Sequence, residues 1–530
     1  MKCSGALLLC LMTIGTVQAA EGDWRVRGDT TLRLDRHEER GNPRLSRYPH
    51  TGTHVFQDFN VQLSGRTRVR EYWELNVSGV LSESDYRSRE DGFTPEWLHL
   101  RHENSAAAIP FRIDLGDQHA HFSPLTLDRR LQAARVELQP AQSADSSQSL
   151  VWISGRDRIN WRGEPIGSDD TYHGASWLLQ DTDLGRYAIN VVQASPGDRD
   201  THSTLPDDTQ LVASLAAAWE MVVCRQQLAT EAEWAWQDGQ AVADGPESDR
   251  GMRVRMSGTD QKLPLNYEFR YERYGRGFKP AGVNPGRAPG MADSRSMGAT
   301  GSWHFGSGLE FRAGFNRYVD SASYRPLKVN DWNLRLFAPA SFGQVPWLDQ
   351  ELTMRLRDRE NSLGTIDTRS RDVRWNIRTN GNERSSTQLQ FRWWAMQDHA
   401  SGDFAHVERQ VSLSHTRHLQ LGPVELTMTP GVDFRERTGS GDVTVASPTL
   451  VFNARSQGHH AGLRLGHREF TRPDGPALEE YSLKLDYRYH AREHTFGVEL
   501  DHLLREPEAG EGLESWRAGV YWRYNFDFAL

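Results

Sequence analysis

Tyr481-Ser482-Leu483-Lys484-Leu485-Asp486-Tyr487-Arg488-Tyr489-His490 alternates without a break. Tyr481, Leu483, Leu485, Tyr487 and Tyr489 fall on one side, and Ser482, Lys484, Asp486, Arg488 and His490 on the other. A helix cannot use this pattern, because residues two apart lie on different helical faces, whereas in an extended chain they share one. The segment therefore predicts a strand with an apolar, aromatic face and a charged face. Residues 265–272 repeat it, with Leu265, Tyr267, Phe269 and Tyr271 opposite Asn266, Glu268, Arg270 and Glu272. So do 309–316 (Leu309, Phe311, Ala313, Phe315) and 372–379 (Val373, Trp375, Ile377).

Outward from these segments the alternation runs through nearly the whole chain, punctuated by turn clusters such as Glu39–Pro43, Ser168–Asp170, Asn380–Asn382, Gly439–Asp442 and Arg472–Pro476. About 26 strands are predicted, beginning near residues 24, 53, 71, 95, 110, 131, 149, 173, 186, 209, 223, 248, 263, 295, 308, 329, 347, 368, 385, 405, 423, 442, 458, 480, 494 and 513. The one ambiguous segment, Leu211–Cys224, reads as a strand, a turn and the start of another strand. Many strands reach nine residues, the length that crosses a bilayer at a barrel's tilt. Connections alternate between long (Tyr274–Ser294) and tight (306–308). A soluble propeller would show a repeat of about 40–50 residues, and none is visible. Sandwich strands bury Val, Ile and Leu, whereas here Tyr, Trp and Phe crowd the apolar face near strand ends, as membrane-interface girdles require. The expected fold is all-β: one large transmembrane antiparallel barrel of about 24–26 strands over residues 20–530.

Residues 1–19 read differently. Lys2 supplies a positive start, Ala6–Val17 an apolar run too short to span a bilayer, and Val17-Gln18-Ala19 a small-residue cleavage site. That is a secretory signal peptide, cut after Ala19 or Ala20. Bulky Leu9 before Cys10 argues against a lipoprotein site. Cys3 and Cys10 leave with the peptide, so the mature chain keeps Cys224 alone and contains no intramolecular disulfide. Strands begin at once after the signal, which leaves no room for an N-terminal plug domain. Net charge is −9, so nucleic acid is excluded as a partner, because its binding depends on a basic surface.

The last strand carries the most specific local signal. Trp516, Ala518, Val520, Trp522, Tyr524, Phe526, Phe528 and Leu530 share one face, and the sequence stops on that alternation. Trp522, Tyr524, Phe526, Phe528 and Leu530 resemble the C-terminal insertion signal of bacterial outer-membrane β-barrel proteins, although the usual final residue there is Phe. The resemblance implies a Gram-negative outer-membrane location and recognition by the barrel assembly machinery. It also implies lipid and lipopolysaccharide as surroundings. Trp24–Leu34, Trp97–Arg101, Ile113–Gln118 and Leu131–Val136 are similar, in order, to the opening strands of porin-like and alginate-export-like barrels. Porins often carry Gly-Arg-Gln where this chain has Gly116-Asp117-Gln118. That second resemblance implies a conduit for small or polymeric solutes and assigns no site residue.

If the aromatic face meets lipid, the lumen carries Arg253, Arg255, Arg270, Arg312, Arg335, Arg355, Arg357, Arg374, Arg378, Arg392, Arg464 and Arg488. Acids are interspersed at Glu268, Glu272, Glu310, Asp372, Asp486, Glu499 and Asp501. A guanidinium holds carboxylate or phosphate at two points and stays charged, so such rows suit an anion path. They suit equally a wide lumen braced by Arg–acid ladders, and only five of the 62 basic residues are Lys. His119 and His121 share a strand face as a metal pair needs, but no further His or Cys stands at zinc-like spacing, so no metal site and no cofactor is expected. The acidic stretches Glu83–Asp91 and Asp198–Asp208 lack Ca²⁺-loop spacing. No G-x-S-x-G, H-E-x-x-H or phosphate loop is present, so no enzyme is expected and no catalytic residue is assigned. The expected function is a channel for polar or anionic solutes, with an anionic polysaccharide and a periplasmic export partner as one version. The alternative is a structural barrel that presents its loops or encloses a partner protein.

Overall fold

A chain that alternates for 500 residues satisfies its backbone only by pairing sideways, and a sheet whose apolar face meets lipid must have no free edge. The computed structural model shows that solution. It describes residues 23–529 apart from 47–50, 83–91, 144, 158–169, 198–208, 240–245, 247, 261, 279–281, 284–292, 307, 321–326, 341–347, 383, 400–403, 440–441 and 473–474. The signal-peptide reading, Leu530 and both acidic stretches fall outside the described residues.

The strands of the first half are β1 (Trp24–Gly41), β2 (Gly52–Arg68), β3 (Glu71–Ser82), β4 (Gly92–Asn104), β5 (Phe111–Ser123), β6 (Leu127–Gln142) and β7 (Ser146–Asp157). There follow β8 (Thr171–Asp181), β9 (Gly185–Ser195), β10 (Gln210–Val223), β11 (Gln226–Asp238), β12 (Ser248–Asp260), β13 (Leu265–Tyr274) and the two-residue β14 (Gly282–Val283). The second half holds β15 (Ser294–His304), β16 (Glu310–Asp320), β17 (Leu327–Ala338), β18 (Leu348–Asn361), β19 (Asp367–Asn382) and β20 (Ser385–Asp398). It closes with β21 (Phe404–Leu421), β22 (Val424–Thr438), β23 (Val443–Ser456), β24 (His459–Arg472), β25 (Gly475–Ala491), β26 (His494–Pro507) and β27 (Leu513–Ala529).

Each wall strand pairs antiparallel with its sequence neighbours, and β13 pairs directly with β15. β1 joins β2 on one edge and β27 on the other, from Arg25↔Ala529 to Gly41↔Leu513. The wall is therefore a closed, all-antiparallel ring of 26 strands, with β14 outside the ladder. Among the described residues helix is confined to the 3₁₀ turn Pro43–Leu45 and the single position Ala340, no helix is long and apolar enough to cross a membrane, and no plug domain is present.

The ambiguous segment resolves as one strand, β10, and a two-residue turn at Cys224 and Arg225, both at positive φ. The next strand starts at Gln226 rather than 223. The barrel end that holds the start of β1 and the end of β27 has mostly short turns, such as 69–70, 224–225, 422–423 and 457–458. The opposite end carries the long connections, including 158–170, 196–209 and 275–293.

One face of the wall is apolar and open. Trp332, Leu334, Leu356, Trp375, Phe391, Leu413, Val432 and Val520 are all exposed. On β24–β27 that face is banded. Tyr481 stacks on His467 and Trp516 on His502 toward the long-loop end. Tyr489 stacks on His459, and Trp522 and Tyr524 on His494, toward the other end. Leu483 and Leu485 lie between the two bands. Tyr481 and Tyr489 are eight residues apart, about 26 Å along a strand, and less across a tilted one. An apolar belt of that height between two aromatic girdles is the surface of an outer-membrane barrel.

Candidate functional site: an inward-folded hairpin on a charged inner wall

The ladder is interrupted between β4 and β5. They pair only from Asn104↔Phe111 to His99↔Gly116. Gly116 has φ +97°, and a Cβ there would sit 2.2 Å from the Leu98 carbonyl oxygen, so a side chain is excluded both by conformation and by space. Beyond it the strands part. The Leu98 N–H, which would otherwise lose its ladder partner, donates to Asp117 Oδ2 at 2.9 Å. β6 leaves β7 beyond Leu131↔Asp157, and Leu127–Asp128 pair in parallel with β14 instead.

The freed hairpin, residues 117–130, folds across the inner faces of β7 to β11. Ala120, Phe122, Leu125, Leu127 and Leu131 pack on Ile153, Tyr172, Val192, Val212 and Ala235. Leu125, Leu127, Leu131 and Tyr172 have no exposed surface at all. A gently curved wall cannot bury its own concave face, so this core exists only because the hairpin covers it. Each fully buried Leu contributes about 2 kcal/mol. The Phe122 ring fits because position 174 is Gly: a Cβ there would lie 2.8 Å from it. Ser123 Oγ donates to the Glu233 carboxylate on β11, six strands along the wall. Phe278, just after β13, is buried in the same cluster, and Gln237 Nε2 donates to the Gly277 carbonyl at 3.2 Å.

Beneath the hairpin tip lies a cavity of about 440 Å³. Its charged lining includes Arg135, Arg253 and Arg255 with Glu137, Glu231 and Glu233. At the hairpin's base Asp114, 1% exposed, meets Arg101 at 2.9 Å, Arg112 at 2.8 Å, Arg135 at 3.0 Å and His99 at 3.1 Å. One carboxylate thus ties β4, β5 and β6 together just below the point where they separate.

Strand register places all twelve expected arginines on the face that bears this core, opposite the exposed apolar face. Arg253 meets Glu272 at 3.3 Å and Arg255 meets Glu268 at 2.8 Å. Arg312 and Arg335 stand directly opposite one another and share Glu310, at 3.2 and 3.6 Å. Arg335 also meets Glu351 at 2.8 Å. Arg355 and Arg357 share Asp331, with Arg355 Nε 2.8 Å from Oδ1 and Arg357 Nε 3.3 Å from Oδ2. Arg374 and Arg392, again directly opposite, share Asp372 at 2.7 and 3.1 Å. Like charges facing across a ladder repel; in the Arg312–Arg335 and Arg374–Arg392 pairs one carboxylate bridges the two guanidiniums, whereas Arg255 and Arg270, also directly opposite, share none. Arg488 lies 3.9 Å from Asp486. Arg270, Arg378 and Arg464 have no carboxylate within ion-pair distance among the described residues. Of the terminal aromatic residues, Phe528 is exposed and Phe526 is buried against Gly28 of β1.

Sequence reading missed the hairpin. A signal was present: Leu127 and Leu131 lie on the strand face that continues as Arg135 and Glu137, so apolar residues stand where the rest of the chain puts charge. It missed Asp128 as well, which the turn 124–126 brings beside His119 and His121.

No family model matches this chain, and no curated protein matches it. Among solved structures, the chain is similar to the unliganded ferric citrate transporter FecA, with 8% identity, a TM-score of 0.38, and coverage of 96% of this chain and 79% of that one. A BenF-like porin from Pseudomonas fluorescens Pf-5 shows 11% identity, a TM-score of 0.37, and coverage of 70% and 99%. A bacterial polysaccharide outer membrane secretin shows 11% identity, a TM-score of 0.28, and coverage of 57% and 98%.

Proposed function

We propose that the chain is exported by its signal peptide, is inserted in the Gram-negative outer membrane by the barrel assembly machinery, and serves there as a conduit for polar, preferentially anionic solutes. The observation that carries the reading is the sharing of acids on the inner wall. Asp331, Asp372 and Glu310 each face two guanidiniums; Arg335 and Arg392 each have a second acid, Glu351 and Glu408, so the positive surplus among these paired residues is small. Low-dielectric walls focus such a field and concentrate anions. The hairpin narrows the passage at the long-loop end. An anionic polysaccharide is the polymeric solute that a continuous Arg surface suits, and a periplasmic delivery partner would follow from that choice. The pairing with acids makes the preference modest.

The test is the reversal potential across a salt gradient in planar bilayers. Changing Arg355, Arg357, Arg374 and Arg378 together to Gln removes four positive charges from two adjacent strands. The wild type is expected to prefer anions, and the variant to shift toward cations. An unchanged reversal potential in a correctly folded variant would reduce these arginines to bracing.

A further inference from the structure

We propose that His119, His121 and Asp128 form a binding site for one divalent transition-metal ion of the borderline class, such as Zn²⁺, Ni²⁺, Co²⁺ or Cu²⁺. The three stand on the hairpin that folds into the barrel, and alternation puts them there. Ala120 and Phe122 turn into the buried cluster, so His119 and His121 turn to solvent on the same strand face. Asp128 is the direct cross-strand partner of His121 on β6. His119 Nε2 lies 2.9 Å and His121 Nδ1 3.5 Å from the same carboxylate oxygen, Asp128 Oδ1. The two imidazole rings are nearly parallel, 12° apart in plane with centroids at 6.4 Å. All three donor atoms fall within 4.8 Å of one another, the only described group of three His, Cys, Asp or Glu donors to do so.

One His suffices to give Asp128 a hydrogen-bond partner. Two imidazoles aimed at one oxygen describe instead three ligands around a common point. Ligand bonds of about 2.0–2.2 Å span the two shorter separations once an ion sits between them. The donor set selects the metal. Ca²⁺ and Mg²⁺ want oxygen cages, whereas two imidazoles with one carboxylate suit borderline ions. Three protein ligands leave at least one coordination position for water or a passing anion. The ion would also clip the β5 arm to the β6 arm, and His121 lies at the rim of the cavity below. The site stands on the hairpin alone and does not depend on conduction through the barrel.

The experiment uses the full-length barrel in detergent, stripped with chelator and titrated with ZnCl₂. Calorimetry and elemental analysis after gel filtration should give one Zn²⁺ per chain. His121→Ala and Asp128→Asn should each weaken binding at least tenfold, and His119→Gln should do the same. His490→Ala, on a distant strand, should leave it intact. These side chains are solvent-facing, and heat-modifiable migration confirms folding of each variant. In the Cu²⁺-loaded protein, electron paramagnetic resonance should report two nitrogen ligands. Failure of the folded wild type to bind one equivalent overturns the proposal, as does wild-type affinity in a folded His121→Ala or Asp128→Asn chain.

Discussion

At the scale of single residues, charge in this protein has two kinds of place. On the open inner wall the Arg–acid pairs are part-exposed, and each is worth no more than about 1 kcal/mol. Asp114 differs because it is buried among three guanidiniums and a histidine. Removing it leaves those cations without their common partner. Asp114→Ala is expected to destabilise the barrel by roughly 3 kcal/mol, the low end for breaking a buried pair. The low end applies because Arg101 and Arg112 keep Glu103, at 3.8 and 3.7 Å, and Arg135 keeps Glu137 at 2.6 Å. Urea unfolding in detergent, read by heat-modifiable migration, measures it. Arg374→Ala, which removes a part-exposed guanidinium from the inner wall, should shift the same midpoint far less. Equal shifts in the two variants would contradict this division.

At the scale of elements, the hairpin is an inward-folded extension of β5 and β6 on a wall that closes below the point where β4 and β5 part. Leu127→Asp places a charge in a fully buried site and should release the hairpin while the 26-strand ladder persists. The released hairpin should become sensitive to added protease, and single-channel conductance should rise. A fold lost altogether would show instead that the hairpin core is part of the barrel's own stability. The lipid face gives a second test: Leu483→Arg should cost roughly 2–4 kcal/mol, and replacing Phe526 and Phe528 together with Ser should block assembly. Wild-type amounts of folded barrel in both variants would reverse the assigned facing. Period-two alternation made the wall legible in advance, and the predicted starts at 24, 71, 248, 385, 494 and 513 are the observed ones. Alternation says which side chains share a face, however, and nothing about whether a strand stays beside its neighbour. The parting at Gly116 depends on a positive φ and on contacts to β11, more than a hundred residues away. The same distance blindness hid Asp128 from the two histidines.

At the scale of the whole molecule, closure carries the account. β1 and β27 pair over seventeen positions, so the first and last strands leave no free edge for lipid to meet. Thr31 and Arg523 stand directly opposite across that seam. Cysteines at both positions, with Cys224 replaced by Ser, should form a disulfide in intact outer membranes under mild oxidation. The mature chain in that fraction should begin at Ala20 or Glu21. On the proposed reading, solutes cross the space that this ring encloses, past the narrowing where the hairpin lies. The most direct measurement is the conductance of the heat-modifiable wild-type barrel in a planar lipid bilayer. Discrete current steps with an anion-side reversal potential are the expected result. Correctly folded protein that adds no conductance to the bare bilayer would contradict the conduit.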